Sequence, residues 1–191
     1  MNSTAEKWWR DEDTGDLELE VSGVPEACRF DGELHKIAAW KRVDFVFHWP
    51  NQRELWLVEI KDPDNPNVQS DPATLIEKFR SKDLIRNNLA PKAKDSFLYL
   101  LLQNQLPQGT RIIYLVLFAC EQFKLEKRAR YFRAAGDELK RCLGLPGPEG
   151  HAWPRACPYV DECLILSLSE WNHQVGSRVK VRRLSSIEAA H

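Results

Sequence analysis

Two short segments that are apolar on both of their faces constrain the fold of this chain most. Residues 43–47 and 55–60 have the composition of β-strands, and residues 49–53 between them have turn chemistry. Side chains alternate along a strand, so one face receives Val46 and Leu57 and the other receives five apolar residues. These five are Phe45, Phe47, Trp56, Val58 and Ile60. A strand that is apolar on both sides belongs inside a sheet covered on both faces.

This hairpin carries two carboxylates. If the turn centres between Asn51 and Gln52, Asp44 lies directly across from Glu59, with Cβ atoms about 5 Å apart. Lys61 shares the face of Glu59. Buried like charges at that spacing must be protonated, paired or bound to a cation. The pair therefore predicts a divalent metal site, and a buried ion cluster around Lys61 is the alternative.

An Asp on one strand, Glu-x-Lys on the next, then a helix and a further buried strand resembles the PD-(D/E)xK nuclease superfamily, which has the restriction-endonuclease-like fold. The resemblance covers residues 17–120, and Val43 stands where the name-giving proline would be. It implies that Asp44, Glu59 and the Ile60 carbonyl hold Mg²⁺ or Mn²⁺. It also implies that Lys61 orients the attacking water, or helps to deprotonate it, during phosphodiester hydrolysis.

The same resemblance implies a further acidic ligand upstream, on the first helix. Glu33, within the short helix-like segment of residues 32–37, is the first candidate. Glu20 is the second candidate.

The rest of the chain predicts one α/β domain, which suits a length of 191 residues. A central mixed β-sheet flanked by helices on both faces is expected, with a restriction-endonuclease-like core and a C-terminal helix and strands over residues 124–184. The predicted elements are a hairpin of residues 17–21 and 24–30, a helix beginning at Asp71 and Pro72, a helix over 92–105, a buried strand over 111–120, a helix over 124–143 and a strand over 163–168.

Nucleic-acid contact must come from local patches, because 27 basic and 28 acidic residues leave almost no net charge. One candidate patch lies at the N-terminus of the predicted helix over 124–143, where free backbone amides favour the binding of phosphate. It consists of Lys124, Lys127 and Arg128. A second alternates along a predicted last strand and consists of Arg178, Lys180 and Arg182. A solvated helix face and an edge strand protected from aggregation are the simpler interpretations of the two patches.

Cysteine usage predicts a reducing, cytoplasmic setting. The five cysteines are an odd number without a paired motif, and the N-terminus has no apolar signal segment. Four of them lack the tight spacing typical of an iron–sulfur site, so buried thiols are favoured. No apolar run reaches the length of a membrane span, so no membrane partner is expected.

These patterns predict a Mg²⁺-dependent nuclease, an endonuclease with DNA as the favoured substrate. A bacterial defence, repair or mobile-element system is the expected setting. The alternative is a nuclease-like subunit that chiefly binds a protein partner, a second copy of itself or nucleic acid, with weak cleavage. The near-neutral charge and small size favour that alternative. A third interpretation is an unrelated structural protein with a chance motif.

Overall fold

The computed structural model describes residues 7–11, 15–31, 40–65, 71–120, 125–146 and 159–185, and it describes the side chains of the third helix from residue 129 onward. Within these ranges the chain forms eight strands and four α-helices. In chain order they are β1 (Trp8–Arg10), β2 (Leu17–Glu20), β3 (Glu26–Arg29), β4 (Phe45–Trp49), β5 (Glu54–Lys61), α1 (Pro72–Arg80), α2 (Ala90–Leu102), β6 (Arg111–Phe118), α3 (Leu125–Leu143), β7 (Glu162–Leu166), α4 (Leu168–Gln174) and β8 (Val181–Arg183).

Five strands form the predicted mixed sheet, in the order β3-β4-β5-β6-β7. The first three are antiparallel neighbours, whereas β5, β6 and β7 run parallel. Parallel neighbours need a long crossover. Helices α1 and α2 provide it between β5 and β6, and α3 provides it between β6 and β7. Strand β6 is buried at every position after Arg111, as expected for a central strand.

The two faces of this sheet are covered differently. Helices α1, α2 and α3 pack on one face through residues such as Phe79, Ala93 and Leu139. The other face is covered by helix α4 and by a second, three-stranded sheet in the order β1-β2-β8. Helices therefore lie on both faces, as expected, and the small sheet shares the second face with α4. None of the described helices is long and apolar enough to cross a membrane.

The predicted hairpin of residues 17–21 and 24–30 is wrong. Strand β2 pairs with β1 and β8, whereas β3 pairs with β4 in the larger sheet. The turn around Ser22 and Gly23 is present, with the Val24 amide donating to the Val21 carbonyl at 3.0 Å. The chain uses this turn to pass from one sheet to the other. Local strand spacing cannot reveal this, because it does not specify the partner of each strand.

The β4–β5 hairpin has the predicted register, with Phe45 opposite Val58. A short 3₁₀ helix (Pro50–Gln52) forms the turn, and Arg53 ends it in the left-handed conformation at φ 48°. The register places the two faces of the hairpin in different cores, as their apolar patterns require.

Several element boundaries differ from the prediction. Helix α1 begins as expected, with Asp71 accepting from the Ala73 amide at 3.1 Å and Pro72 in the first turn. Helix α2 starts two residues before the predicted position and follows a π-helical turn (Ile85–Leu89). The last strand contains Val181–Arg183 alone, so Arg178 and Lys180 precede it.

Arg183 connects the small sheet to the end of β5. Its guanidinium donates to both carboxylate oxygens of Asp62, at 2.9 and 2.7 Å, and to Asp16 at 2.7 Å. The arginine side chain is 11% exposed, and the Asp62 side chain is fully buried. Burial raises the pKa of Asp62 although the hydrogen bonds from Arg183 oppose it. This contact fixes the residue that follows Lys61.

Arg183→Met should therefore destabilise the fold strongly, because it leaves Asp62 and Asp16 buried without their cation. We expect a loss of about 3–5 kcal/mol in the free energy of unfolding, measured by urea denaturation. Arg182→Met is the matched control, because the Arg182 side chain is 39% exposed, pairs with Glu18 and stacks on the Trp8 ring. Its expected cost is about 1 kcal/mol or less. Equal losses in the two variants would contradict the proposed role of Arg183.

Candidate active site

The structure brings Asp44, Glu59 and Lys61 together and adds Lys92 from helix α2. The Lys92 ammonium lies 3.1 Å from Asp44 Oδ1, 2.7 Å from Glu59 Oε1 and 2.9 Å from Glu59 Oε2. Lys61 Nζ lies 2.5 Å from Glu59 Oε1. The site is thus a cluster of two carboxylates and two ammonium groups, and one ammonium bridges the two carboxylates.

Backbone contacts fix the position of Asp44. Its amide donates to the Val58 carbonyl at 3.0 Å, and its Oδ2 accepts from the Ile60 amide at 2.6 Å. The preceding amide, that of Val43, donates to Ser96 Oγ at 3.0 Å. Asp44 is therefore held by strand β5 on one side and, through its neighbour, by helix α2.

Helix α2 positions Lys92 through its irregular first turn. Pro91 has no amide hydrogen, and the Asn87 carbonyl four residues before it accepts from Lys41 Nζ at 2.5 Å. The Leu89 carbonyl accepts from the buried Tyr114 hydroxyl at 3.0 Å. Residues four apart share a helix face, so Lys92 points to the same sheet surface as Ser96, which contacts Val43.

Sequence reasoning missed Lys92, although a signal for it existed. Ala93 and Leu100 belong to the buried face of α2, and Ser96 and Lys92 interrupt that apolar face. A lysine and a serine at the spacing i, i+4 on a buried stripe indicate polar partners on the surface beneath.

The charges of the site balance inside a region that water hardly reaches. The Glu59 side chain is fully buried, and those of Lys92 and Lys61 are 14% and 16% exposed. Burial, followed by the charge of Asp44, raises the pKa of Glu59 to about 7, against the opposing effect of the two lysines. Burial lowers the pKa of Lys92, but the charges of Glu59 and Asp44 outweigh it, so its net shift is upward.

One oxygen of this cluster is imperfectly paired. Glu59 Oε1 lies within ion-pairing distance of Lys61 and Lys92. It has, however, no hydrogen bond of good geometry in the described part of the chain. Attraction between charges does not require alignment, so the lysines still stabilise the anion.

The donor set fits a hard divalent cation in type and spacing. Asp44 and Glu59 provide carboxylate oxygens from adjacent strands, and Lys92 stands where a cation would touch both. The Ile60 carbonyl, the third predicted ligand, accepts from Lys61 Nζ at 3.1 Å. Within the described ranges there is no group of three or more His, Cys, Asp or Glu side chains that could hold a metal.

The candidates for an additional acidic ligand do not enlarge this set. Glu33 lies outside the described residues. Glu20 is on the three-stranded sheet, where it pairs with Lys7 at 3.3 Å.

The residues predicted to contact nucleic acid differ in whether their charges are already paired with carboxylates of the fold. Arg178 pairs with Glu54 and stacks 3.8 Å from the Trp49 ring centroid. Arg182 pairs with Glu18 at 2.7 Å. Lys180 is exposed. Two of the three charges of this patch are therefore neutralised within the fold. In the other patch, Lys124 and the side chains of Lys127 and Arg128 lie outside the described part of the chain.

Lys92→Met should destabilise the metal-free protein, because it leaves two facing carboxylates without their bridging cation. We expect a loss of about 3–5 kcal/mol in chelator, measured by urea denaturation. Mn²⁺ or Mg²⁺ should restore part of it, about 2.7 kcal/mol at a hundred times the dissociation constant. Lys94→Met is the control, because this neighbouring lysine is 54% exposed. A Lys92→Met protein as stable as wild type in chelator would contradict the bridging role.

Glu59 should make the stability of the metal-free protein fall as the pH rises from 4.5 to 7. Its pKa is about 7 in the folded protein against an ordinary value of 4.5, so the folded state binds the proton more tightly and loses this advantage with rising pH. The expected decrease is about 3 kcal/mol, and Glu59→Gln should remove it. Denaturation in chelator across this range tests it, with Glu77→Gln, whose side chain is 71% exposed, as the control. If the Glu59→Gln variant lost as much stability between pH 4.5 and 7 as wild type does, a group other than Glu59 would be responsible.

Comparison of the chain with protein-family models, with curated proteins and with solved structures found no significant match. The function must therefore be argued from the chemistry of the described residues themselves.

Proposed function

We propose that this protein is a metal-dependent nuclease that hydrolyses phosphodiester bonds, with DNA as the favoured substrate. The observation that carries the proposal is the fully buried Glu59 facing Asp44, with Lys61 and Lys92 in contact. We also propose that the five-stranded sheet with its Asp and Glu-x-Lys hairpin is a variant of the restriction-endonuclease-like fold.

The ligands assigned to Mg²⁺ or Mn²⁺ are Asp44, Glu59 and the Ile60 carbonyl. The ion, when bound, would polarise the phosphate and lower the pKa of a bound water. The hydrogen bond from the Ile60 amide to Asp44 Oδ2 leaves Oδ1, the oxygen that now contacts Lys92, directed into the site. Asp44 can therefore keep its backbone support while it binds the cation.

The two lysines are assigned different tasks. Lys61 sits next to the Ile60 carbonyl and Glu59, so it can orient the attacking water and keep a proton beside it. Lys92 is carried by helix α2, so its ammonium would remain beside the site if Asp44 and Glu59 held a divalent ion. There it could stabilise the negative charge that develops on the phosphate.

The Arg183–Asp62 contact supports this site by fixing its geometry. Asp62 follows Lys61 directly, and both of its oxygens are bound by Arg183. The end of β5 is therefore anchored on the side opposite to the α2 contacts. Arg183 is a positioning residue, because it acts on the site through the backbone of β5.

A purely structural ion cluster is the less economical explanation. Well-packed apolar residues would stabilise this region equally well or better, since desolvation offsets most of the attraction between buried charges. The surrounding core is apolar, with Val46, Leu57 and Val116 on the same side of the sheet. An array of four charges in that place points to a chemical task.

Asp44→Ala, Glu59→Ala and Lys61→Ala should each abolish divalent-dependent cleavage of plasmid, linear duplex or single-stranded DNA. The double variants should be no worse than the single ones, because the residues act as a unit. Glu77→Gln is the matched control and should keep wild-type activity, since its side chain is exposed. The assay is run with Mg²⁺, Mn²⁺ and chelator. Cleavage by Asp44→Ala at the wild-type rate would refute the proposed function.

A second function, binding of a partner protein, is favoured by one observation on helix α2. Leu101 and Leu102 are 49% and 67% exposed, and Leu98 beside them is 37% exposed. Leu101 also lines a groove of about 540 Å³ with Leu106 and Tyr159. An apolar surface of this kind marks interaction sites in many proteins. If this function dominates, polar substitution of Leu101 and Leu102 should prevent association and leave DNA cleavage intact.

A further inference from the structure

A second cavity lies on the face of the sheet that carries the acidic pair. Its volume is about 560 Å³, within the range of about 300–1,000 Å³ typical of small-ligand sites. Strand β3 forms one wall with Cys28 and Phe30, strand β4 contributes Val46 and His48, and the end of helix α2 lies over them with Leu100. It is therefore distinct from the contacts of the acidic pair but shares its sheet.

The cavity adjoins the acidic pair across a single strand pairing. The Phe30 amide donates to the Asp44 carbonyl at 2.8 Å, so Phe30 is the neighbour of Asp44 on β3. The β3–β4 register then continues with Cys28 opposite Val46. Neighbouring strands lie about 4.8 Å apart, so the Phe30 end of the cavity is one strand away from Asp44.

The lining suits a neutral, flat, hydrogen-bonding ligand. Most of the wall is apolar, and among the described residues that line it there is no lysine or arginine. His48 is bound to Glu26 at 2.7 Å, and Asn104 and Gln105 offer amides at the rim. A carboxylate without a nearby cation repels phosphate, whereas amide and imidazole groups can bind the edge of a heterocycle. A nucleobase has these properties.

Arg42 lies beside Phe30, which lines the cavity, although Arg42 is not itself one of the lining residues. It is 6% exposed, and its Nε and Nη1 have no hydrogen-bond partner in the described part of the chain. Its guanidinium lies 6.0 Å from the Phe30 ring centroid and 5.9 Å from that of Tyr99. Cation–π contacts do not replace the hydrogen bonds of a buried guanidinium. The group is therefore poised for an anion beside the same Phe30 that lines the cavity.

We propose that the cavity and Arg42 form a nucleotide subsite, in which one unpaired nucleobase enters the cavity and Arg42 binds its phosphate. The subsite deepens the proposed nuclease function, because it would hold one nucleotide of the substrate strand beside Asp44. Its preference is for a strand with an unstacked base, such as single-stranded DNA or a frayed end. The binding itself requires no metal and no cleavage.

The test measures nucleotide binding in chelator, with no cleavage involved. The probes are the four deoxynucleoside 5′-monophosphates, deoxyadenosine and inorganic phosphate, titrated into the full chain and followed by calorimetry and by backbone NMR shifts. The monophosphates should bind more tightly than deoxyadenosine by tenfold or more, roughly the value of one hydrogen bond between charged groups. Shifts should concentrate on β3, β4 and the end of α2.

Two variants distinguish the contribution of the base to binding from that of the phosphate. Arg42→Met should weaken the monophosphates to the level of deoxyadenosine, and its melting temperature should equal or exceed that of wild type because a buried unpaired charge is removed. Cys28→Phe, which fills the cavity, should weaken deoxyadenosine and the monophosphates alike. Arg29→Met is the matched control and should change neither, because Arg29 stacks 5.5 Å from the Trp9 ring centroid on the other face of the sheet.

Arg42→Met with wild-type affinity for monophosphates, or the absence of shifts at the cavity at millimolar probe, would overturn the proposal. The outcome is separable from that of the nuclease assay. Cleavage that depends on Asp44, without nucleotide binding in chelator, would contradict the subsite and support the proposed nuclease function. Nucleotide binding without any cleavage would support the subsite and contradict the nuclease function.

Discussion

The Lys92 ammonium between Asp44 and Glu59 is the contact on which the centre of this molecule depends. Two carboxylates on adjacent strands repel each other, and burial of the Glu59 side chain deprives it of water. Helix α2 supplies the cation that makes this arrangement tolerable in the folded chain. The position of the helix along the strands is therefore restricted, and the hydrogen bond from the Val43 amide to Ser96 Oγ fixes that position.

This dependence links the irregular geometry of α2 to the position of Lys92. Pro91 has no amide hydrogen to offer the Asn87 carbonyl, which accepts from Lys41 Nζ, and the Leu89 carbonyl accepts from the Tyr114 hydroxyl beside the π-helical turn. Such irregularities cost stability and persist where the surrounding contacts over-determine them. Here they aim a lysine at the acidic pair.

The second sheet contributes by holding the other end of the site. Arg183 of β8 reaches Asp62, directly after the Glu-x-Lys segment, and also binds Asp16 near β2. The hairpin with the acidic pair is thus anchored by α2 above the sheet and by the small sheet below it. The buried Arg42, close to the same hairpin, has two guanidinium nitrogens without a hydrogen-bond partner in the described part of the chain.

The sequence by itself determined the β4–β5 hairpin, its register and the meeting of Asp44 with Glu59 and Lys61, because a short turn and period-two alternation act between residues close in the chain. It also determined the central strand β6 and the start of α1. Tertiary structure decided the partners of β2 and β3, the small sheet that shares one face with α4, and the entry of Lys92. Those contacts join residues distant in sequence, and local pattern carries no information on which distant groups will satisfy a buried charge or a strand edge.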